Sequence, residues 1–121
     1  MNKYSFVIDG ELPTMNQIIA ASKKHHMVYA NMKKDYTALV QISAAGLPKI
    51  ERADFGITWY CKNKRSDKDN RIAGQKFIFD GLVKAGILAN DGWKEIGNIT
   101  HKFAVDKEKP RIEITIQEVD E

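Results

Sequence analysis

Four aspartates fall within residues 64–94, which read KRSDKDNRIAGQKFIFDGLVKAGILANDGWK. Asp67 and Asp69 stand two residues apart before a predicted amphipathic helix, Asp80 lies on that helix, and Asp91 follows it. Clustered carboxylates bind hard divalent cations, because Mg²⁺ takes oxygen ligands and keeps waters that a phosphate can displace. If the segment folds back on itself, the four side chains gather into one metal site.

The stretch around these acids is basic. Residues 62–76 carry six basic and two acidic side chains, a local net charge of +4 against +3 for the whole chain. The basic residues are Lys62, Lys64, Arg65, Lys68, Arg71 and Lys76. Further lysines that can contact phosphates are Lys23, Lys24, Lys33, Lys34 and Lys94. Acids set in a positive field indicate metal-assisted chemistry on a polyanion.

The composition is that of a soluble domain. The 121 residues predict one domain over 1–121, and 43% hydrophobic with 29% charged residues exclude a disordered chain. No apolar run approaches the roughly 18 residues of a membrane span, and MNKYSF lacks the apolar core of a signal peptide. We therefore expect a cytoplasmic protein without a membrane partner. Cys61 is the only cysteine, so no internal disulfide can form, and its strand context predicts a buried thiol.

The hydrophobic pattern predicts an α+β fold of order β-α-β-α-β-β. Alternating apolar residues mark the four strands, which are Tyr4–Asp9, Asp54–Lys62, Ile99–Val105 and Ile112–Ile116. Spacings of three and four mark two helices, one from Val28 to Ser43 and one from Ile72 to Val83, while 13–16 reads as an irregular connection. The short loop 107–110 predicts that the last two strands form an antiparallel hairpin in a mixed sheet.

The second helix fixes the spacing of the candidate site. Asp69 or Asn70 is the expected N-cap, and Lys76 and Asp80 form an i,i+4 pair at the border between core and solvent. Phe77 lies opposite the apolar arc. It either belongs to a partner surface or packs under a loop, and the pattern leaves both open.

Each of these motifs also has a simpler interpretation. Asp-x-Asp-Asn also suits a turn and helix cap, and Asp80 also suits a surface ion pair with a neighbouring lysine. An EF-hand is excluded because Ile72 occupies the obligatory glycine position. His25-His26 has no Cys or acidic partner at zinc spacing, so a solvent-facing or phosphate-facing pair is expected. His101 falls on an apolar strand face and is expected to be a core histidine.

The stretch SDKDNRIAGQKFIFDGLVKAGILANDGW resembles the RusA family of Holliday junction resolvases, which are small phage and prophage endonucleases. The matching features, in order, are Asp-x-Asp-Asn, a lysine, Asp-Gly-Leu, Gly-Ile-Leu and an Asn-Asp-Gly-Trp turn. Leu12, Pro13 and Asn16 add a Leu-Pro-x-x-Asn match near the N-terminus. The resemblance spans about 30 residues closely and implies a RusA-like fold.

The resemblance also implies roles for individual residues. Asp67, Asp69 and Asp91 match the metal-binding catalytic carboxylates of the family, and Asp80 is a possible further metal ligand. The essential lysine of the family comes four residues after the second aspartate, where this chain has Ala73. Lys76 lies three residues further on and keeps the Lys-x-x-x-Asp spacing, which favours an insertion before Lys76 over loss of the lysine.

The function implied is resolution of four-way DNA junctions by paired symmetric nicks, performed by a homodimer with Mg²⁺, for which Mn²⁺ can substitute. The aspartates would hold the metal, Lys76 would stabilise charge that develops on the phosphate, and the basic residues would track the DNA backbone. Two alternatives remain open at this point: a nuclease for other branched DNA, and a branched-DNA-binding protein without catalysis.

Overall fold

The computed structural model describes residues 2–120, which form four strands and four helices. In chain order these are β1 (Lys3–Asp9), α1 (Met15–Lys24), α2 (His26–Ser43), β2 (Ala53–Cys61), α3 (Lys68–Ile72), α4 (Gln75–Lys84), β3 (Ile96–Val105) and β4 (Arg111–Glu118). The α+β class is confirmed, as is the coarse order of strands and helical segments. Each of the two predicted helices is preceded by a second, separate helix.

The sheet is mixed, but its C-terminal part is not the predicted hairpin. The strand order is β1-β4-β2-β3, with β2 antiparallel to β4 and parallel to β3. The loop 106–110 therefore crosses over β2 instead of joining neighbours. Two strand spacings are about 9.6 Å, and five residues reach about 16 Å, so a loop of hairpin length is long enough for the crossover.

Burial explains why β4 takes an inner position and β3 an edge. The inward side chains of β4, Ile112, Ile114 and Ile116, are all buried. On β3, Ile99 and Val105 remain 36% and 49% exposed. An inner strand has neighbours on both sides to cover its apolar face, whereas an edge strand has only one. The three isoleucines therefore lie in the middle of the core and β3 closes its margin.

Helix α1 was missed by the pattern because only one of its residues, Ala21, is buried. The sequence feature that marks the start of α1 is a capping box. Thr14 Oγ1 accepts a hydrogen bond from Gln17 N, and Gln17 Oε1 accepts one from Thr14 N. Helix α2 is the longest helix, with 18 residues. Within residues 2–120 there is no helix whose length and apolar character would let it cross a membrane.

The second predicted helix is divided at Ala73 and Gly74 into α3 and α4. A Cβ at Gly74 would lie 2.9 Å from the Cβ of Leu12 and 3.3 Å from the ring of Trp59. The backbone therefore passes directly against both side chains at this point. The break separates the segment that carries Asp67 and Asp69 from the helix that carries Lys76 and Asp80.

Helix α4 is buried on two sides, between the sheet and α2. Phe79 packs edge-on against Phe55 of β2, while Phe77 packs against Tyr36 of α2 with ring centroids 5.8 Å apart. Phe77 is fully buried against α2, so neither of the two alternatives, a partner surface or packing under a loop, describes its position. The sequence pattern showed one apolar arc on this helix. It could not show that α2 covers a second face of the same helix.

His101 is half-buried in β3, and its Nδ1 accepts a 2.9 Å hydrogen bond from Trp59 Nε1. The ring stacks between Trp59 and Phe103. Burial lowers the pKa of His101, because the neutral ring is favoured inside the fold. The prediction of a core histidine is confirmed only in part, because the ring is hydrogen-bonded but half-buried and lies outside the buried core.

The lowered pKa of His101 predicts a pH-dependent stability. The folded state binds its proton more weakly than the unfolded state, so the contribution is complete above the unfolded pKa and is lost as the pH falls through and below it. Between pH 7.5 and 5.5 the free energy of unfolding should fall more for the wild type than for His101→Gln, which keeps an acceptor for Trp59. Urea denaturation at both pH values measures this difference. An equal fall in the free energy of unfolding for the wild type and for His101→Gln would contradict this role.

Candidate metal centre and nucleic-acid interface

Asp67 and Asp69 lie on residues 62–71, which lead from β2 into α3 and are called the acidic segment below. Asp67 is the N-cap of α3, so the expectation that Asp69 or Asn70 would cap the helix was wrong. The Asp67 carboxylate makes no capping hydrogen bond, and Asp69 Oδ1 accepts from the neighbouring Asn70 N at 2.9 Å. Both carboxylates are solvent-exposed and keep oxygens available for a ligand.

Both carboxylates line a cleft of about 810 Å³ between the acidic segment and the end of β3, which we call the Asp67 cleft. Phe103, Ala104 and Val105 form its far wall. Lys68 crosses the cleft, with its Nζ 5.5 Å from the centroid of Phe103. Lys64 and Lys68 line the cleft as exposed cations, and Arg71 lines it from its buried position.

A buried ion pair holds both ends of the acidic segment. Arg71 is only 8% exposed, and its Nη1 donates to Glu11 Oε2 at 2.6 Å. Glu11 also accepts from the backbone N of Lys62 at 3.4 Å and lies 3.9 Å from Lys62 Nζ. Arg71 N in turn donates to Asp67 O at 3.1 Å. One carboxylate from the β1–α1 connection thus fixes the start and the end of the segment that presents Asp67 and Asp69.

Asp80 and Asp91 lie elsewhere, in a cleft of about 610 Å³ that we call the Asp91 cleft. Lys33, Lys34 and Lys84 also line it. Asp80 Oδ2 lies 3.8 Å from Lys33 Nζ and 3.9 Å from Lys76 Nζ. Lys76 is exposed on α4 and lines neither cleft. Its observed partner is Asp80, as the i,i+4 spacing predicted.

The chain therefore brings its aspartates together in two pairs, not in one group of four. The Asp67 cleft and the Asp91 cleft have no lining residue in common. Within residues 2–120 no group of three His, Cys, Asp or Glu side chains could hold a metal ion. The expectation that one chain gathers all four carboxylates was wrong, because Asp67 and Asp69 precede α4, whereas Asp80 lies on α4 and Asp91 follows it, and the two pairs line different clefts.

The predicted DNA-binding residues are spread over several surfaces, and only some of them line the two clefts. Lys62, Lys64, Arg65 and Lys68 are exposed on the acidic segment, whereas Lys33 and Lys34 line the Asp91 cleft. Lys23 and Lys24 are exposed at the end of α1, and Lys94 is exposed before β3. Arg71 differs, because it is buried against Glu11 and therefore supports the segment from below.

Two residues of the site were not predicted. Glu11 gave no signal, because a single acid in a polar connection has no periodicity or motif. Phe103 was expected only as a strand residue, and its place in the cleft follows from the parallel pairing of β3 with β2. Cys61 also lines the cleft, and burial raises the pKa of its thiol, which agrees with the predicted buried thiol and not with a nucleophile.

Comparisons with protein-family models and with curated proteins find no match to this chain. The chemistry of the site is consequently assigned from the residues themselves. Two exposed carboxylates in a cleft with two exposed lysines are suited to hold a divalent ion against a phosphate.

Replacing Glu11 should destabilise the protein through Arg71. Glu11→Ala leaves a buried guanidinium without its partner and is expected to lower the free energy of unfolding by about 2–4 kcal/mol. The matched control is Lys62→Ala, which removes the exposed partner of the same carboxylate and should cost less than about 1 kcal/mol. Urea denaturation measures both. Equal stabilities of the two variants would show that the Arg71–Glu11 pair does not hold the segment.

Proposed function

We propose that this protein is a divalent-metal-dependent endonuclease that acts on branched DNA, with four-way junctions as its substrate. The observation that carries the proposal is the Asp67 cleft, where two exposed carboxylates, which make no ion pair within residues 2–120, share the lining with two exposed lysines, Lys64 and Lys68. The carboxylates select a hard cation, and the cations select a polyanion. The resemblance of residues 66–93 to RusA-type resolvases supports the choice of a junction over other DNA.

The residues of the Asp67 cleft fit Mg²⁺. Its ligands in proteins are oxygens, and one or two carboxylates with waters and substrate phosphates are its usual set. Asp67 has both oxygens free of capping bonds, and Asp69 uses one oxygen for Asn70 N. When bound, the ion supplies positive charge that polarises a phosphodiester and acidifies a water.

The remaining groups of the cleft bind and orient the DNA. Lys64 and Lys68 donate to phosphate oxygens on either side of the carboxylates, and such contacts fix the register of the backbone without reading its sequence. Lys68 lies against Phe103, which limits the positions of its ammonium group. The Glu11–Arg71 pair keeps the loop that carries both acids in place, so a phosphate meets carboxylates that are already positioned.

In our proposal, the Asp91 that completes this site comes from a second chain. Within one chain it shares a cleft with Asp80 and three lysines, and that cleft has no lining residue in common with the Asp67 cleft. A two-fold dimer can bring the Asp91 cleft of one chain to the Asp67 cleft of its partner, and it does so twice. Two equivalent sites also match a junction, in which two strands of like polarity must be cut.

Asp69→Asn should abolish cleavage and spare binding. Removing one metal-binding carboxylate is expected to lower the cleavage rate at least about a hundredfold, since the ion supplies several kcal/mol of transition-state stabilisation. The substrate is a labelled four-way junction with a linear duplex as the comparison, in Mg²⁺ and in EDTA. Asp9→Asn, an exposed aspartate on the edge strand β1, is the matched control and should cut like the wild type.

A mixture of Asp69→Asn and Asp91→Asn chains then tests the shared site. If each site takes Asp67 and Asp69 from one chain and Asp91 from the other, the mixed dimer has one intact site and nicks a single strand. If each site lies within one chain, both sites of the mixed dimer are damaged and no nick appears. Junction binding by the wild type without any cut would instead favour a DNA-binding protein in which Lys76 lies too far from the carboxylates to act.

A further inference from the structure

A second cleft lies on the opposite side of the acidic segment, with a volume of about 550 Å³. The acidic segment is the wall between the two clefts, because Asn63, Ser66 and Arg71 line both. The start of α1 and its approach form the other wall, including Leu12, Pro13 and Asn16. These three residues form the N-terminal motif to which the proposed chemistry gives no role.

Amide side chains dominate the polar lining of this cleft, which we call the amide cleft. Asn16, Gln17, Asn63 and Asn70 all line it. The orientation of three of these amides is fixed, because each carbonyl oxygen accepts from a backbone N–H. The bonds are Gln17 Oε1 with Thr14 N at 2.9 Å, Asn63 Oδ1 with Arg65 N at 3.0 Å, and Asn70 Oδ1 with Asn16 N at 3.0 Å.

An amide whose oxygen is occupied in this way offers its NH₂ group to a ligand. Within residues 2–120 none of these three NH₂ groups has a hydrogen-bond partner. The only carboxylate of the cleft, Glu11, is already paired with Arg71 and Lys62. The three oriented amides therefore present donors to the amide cleft, as do Lys62 and Arg65, and this set is complementary to a ligand rich in acceptors.

The cleft also has a flat apolar side. Tyr36 lines it, and its ring is held against the buried Phe77. Pro13 lies beside it. A phosphate needs donors and charge but gains nothing from an aromatic ring, whereas a nucleobase uses both the donors at its edge and the ring at its face.

We propose that the amide cleft holds a nucleobase next to the scissile phosphate and selects for bases with acceptor groups at the exposed edge, such as guanine with O6 and N7. This inference rests on the proposed function for the DNA itself, but its site and chemistry are separate. Only the acidic segment separates the Asp67 cleft from the amide cleft. When a DNA backbone is held in the Asp67 cleft, an adjoining base that leaves the stack can therefore enter the amide cleft. Lys62 and Arg65 at its rim are positioned for the flanking phosphates.

Asn16 gives the sharpest test. It is exposed, lies in the first turn of α1, and its side chain makes no hydrogen bond within residues 2–120. Asn16→Asp replaces donors by acceptors at nearly constant shape, and an acid in the first turn is favourable for the helix. Asn16→Ala removes the contact. Asn98→Asp, an exposed amide at the start of β3, is the matched control.

The probe is a pool of four-way junctions with randomised base pairs at the crossover. Bound junctions are selected in EDTA and sequenced, and cut sites are sequenced separately after reaction in Mg²⁺. The wild type and Asn98→Asp should favour an acceptor-rich base at one position by about tenfold. Asn16→Ala should lose that preference, and Asn16→Asp should lose or invert it. The base preferences at the other randomised positions should stay the same in both variants.

Three results would overturn the inference: no base preference in the wild type, the same preference in both Asn16 variants, or an equal loss of binding for every sequence, which is the behaviour of a phosphate contact. Selection in EDTA does not require cleavage. Base selection without any cut in Mg²⁺ would therefore refute the proposed nuclease and leave the amide cleft in place, whereas cuts without base selection would do the reverse.

Discussion

The pairing of Arg71 with Glu11 is the interaction on which the Asp67 cleft and the amide cleft depend. It is a buried guanidinium, and the cost of burying it is offset only while Glu11 accepts its hydrogen bond. Glu11 comes from the connection after β1, and Arg71 comes from α3, so the pair joins two distant parts of the chain. The acidic segment lies over this pair and separates the Asp67 cleft from the amide cleft. A single ionic contact thus sets the position of the carboxylates and of the amides together.

The order of the strands explains why the carboxylates face a wall of β3. Strand β2 has β4 on one side and β3 on the other, and the parallel pairing brings Val105 opposite Cys61, at the end from which the acidic segment leaves. Had β3 and β4 formed a hairpin, Phe103 and Val105 would lie away from Asp67. The crossover of residues 106–110 is therefore part of the site, although none of those residues lines the cleft.

The sequence was informative where one physical rule dominates. Phe55, Ile57 and Trp59 alternate because one face of β2 is buried, and the pattern placed the strand within one residue of its observed bounds. Asp67 and Asp69 were singled out because two acids in a basic field are chemically unusual, and the structure places both in one cleft. Contacts between distant residues were not accessible in this way. Nothing in the local sequence shows that Glu11 contacts Arg71, that α2 covers Phe77, or that Asp91 lines a different cleft from Asp69. Each of these depends on how distant parts of the chain pack.

The central claim is that Asp67 and Asp69 hold the divalent ion, and Mn²⁺ titration of ¹⁵N-labelled protein tests it most directly. Bound Mn²⁺ broadens the amide signals of nearby residues. We expect the signals of residues 64–70 and 103–105 to broaden first, and we expect Asp69→Asn to prevent this. Broadening that begins around Asp80 and Asp91 while residues 64–70 stay sharp, or that is unchanged in Asp69→Asn, would contradict the account.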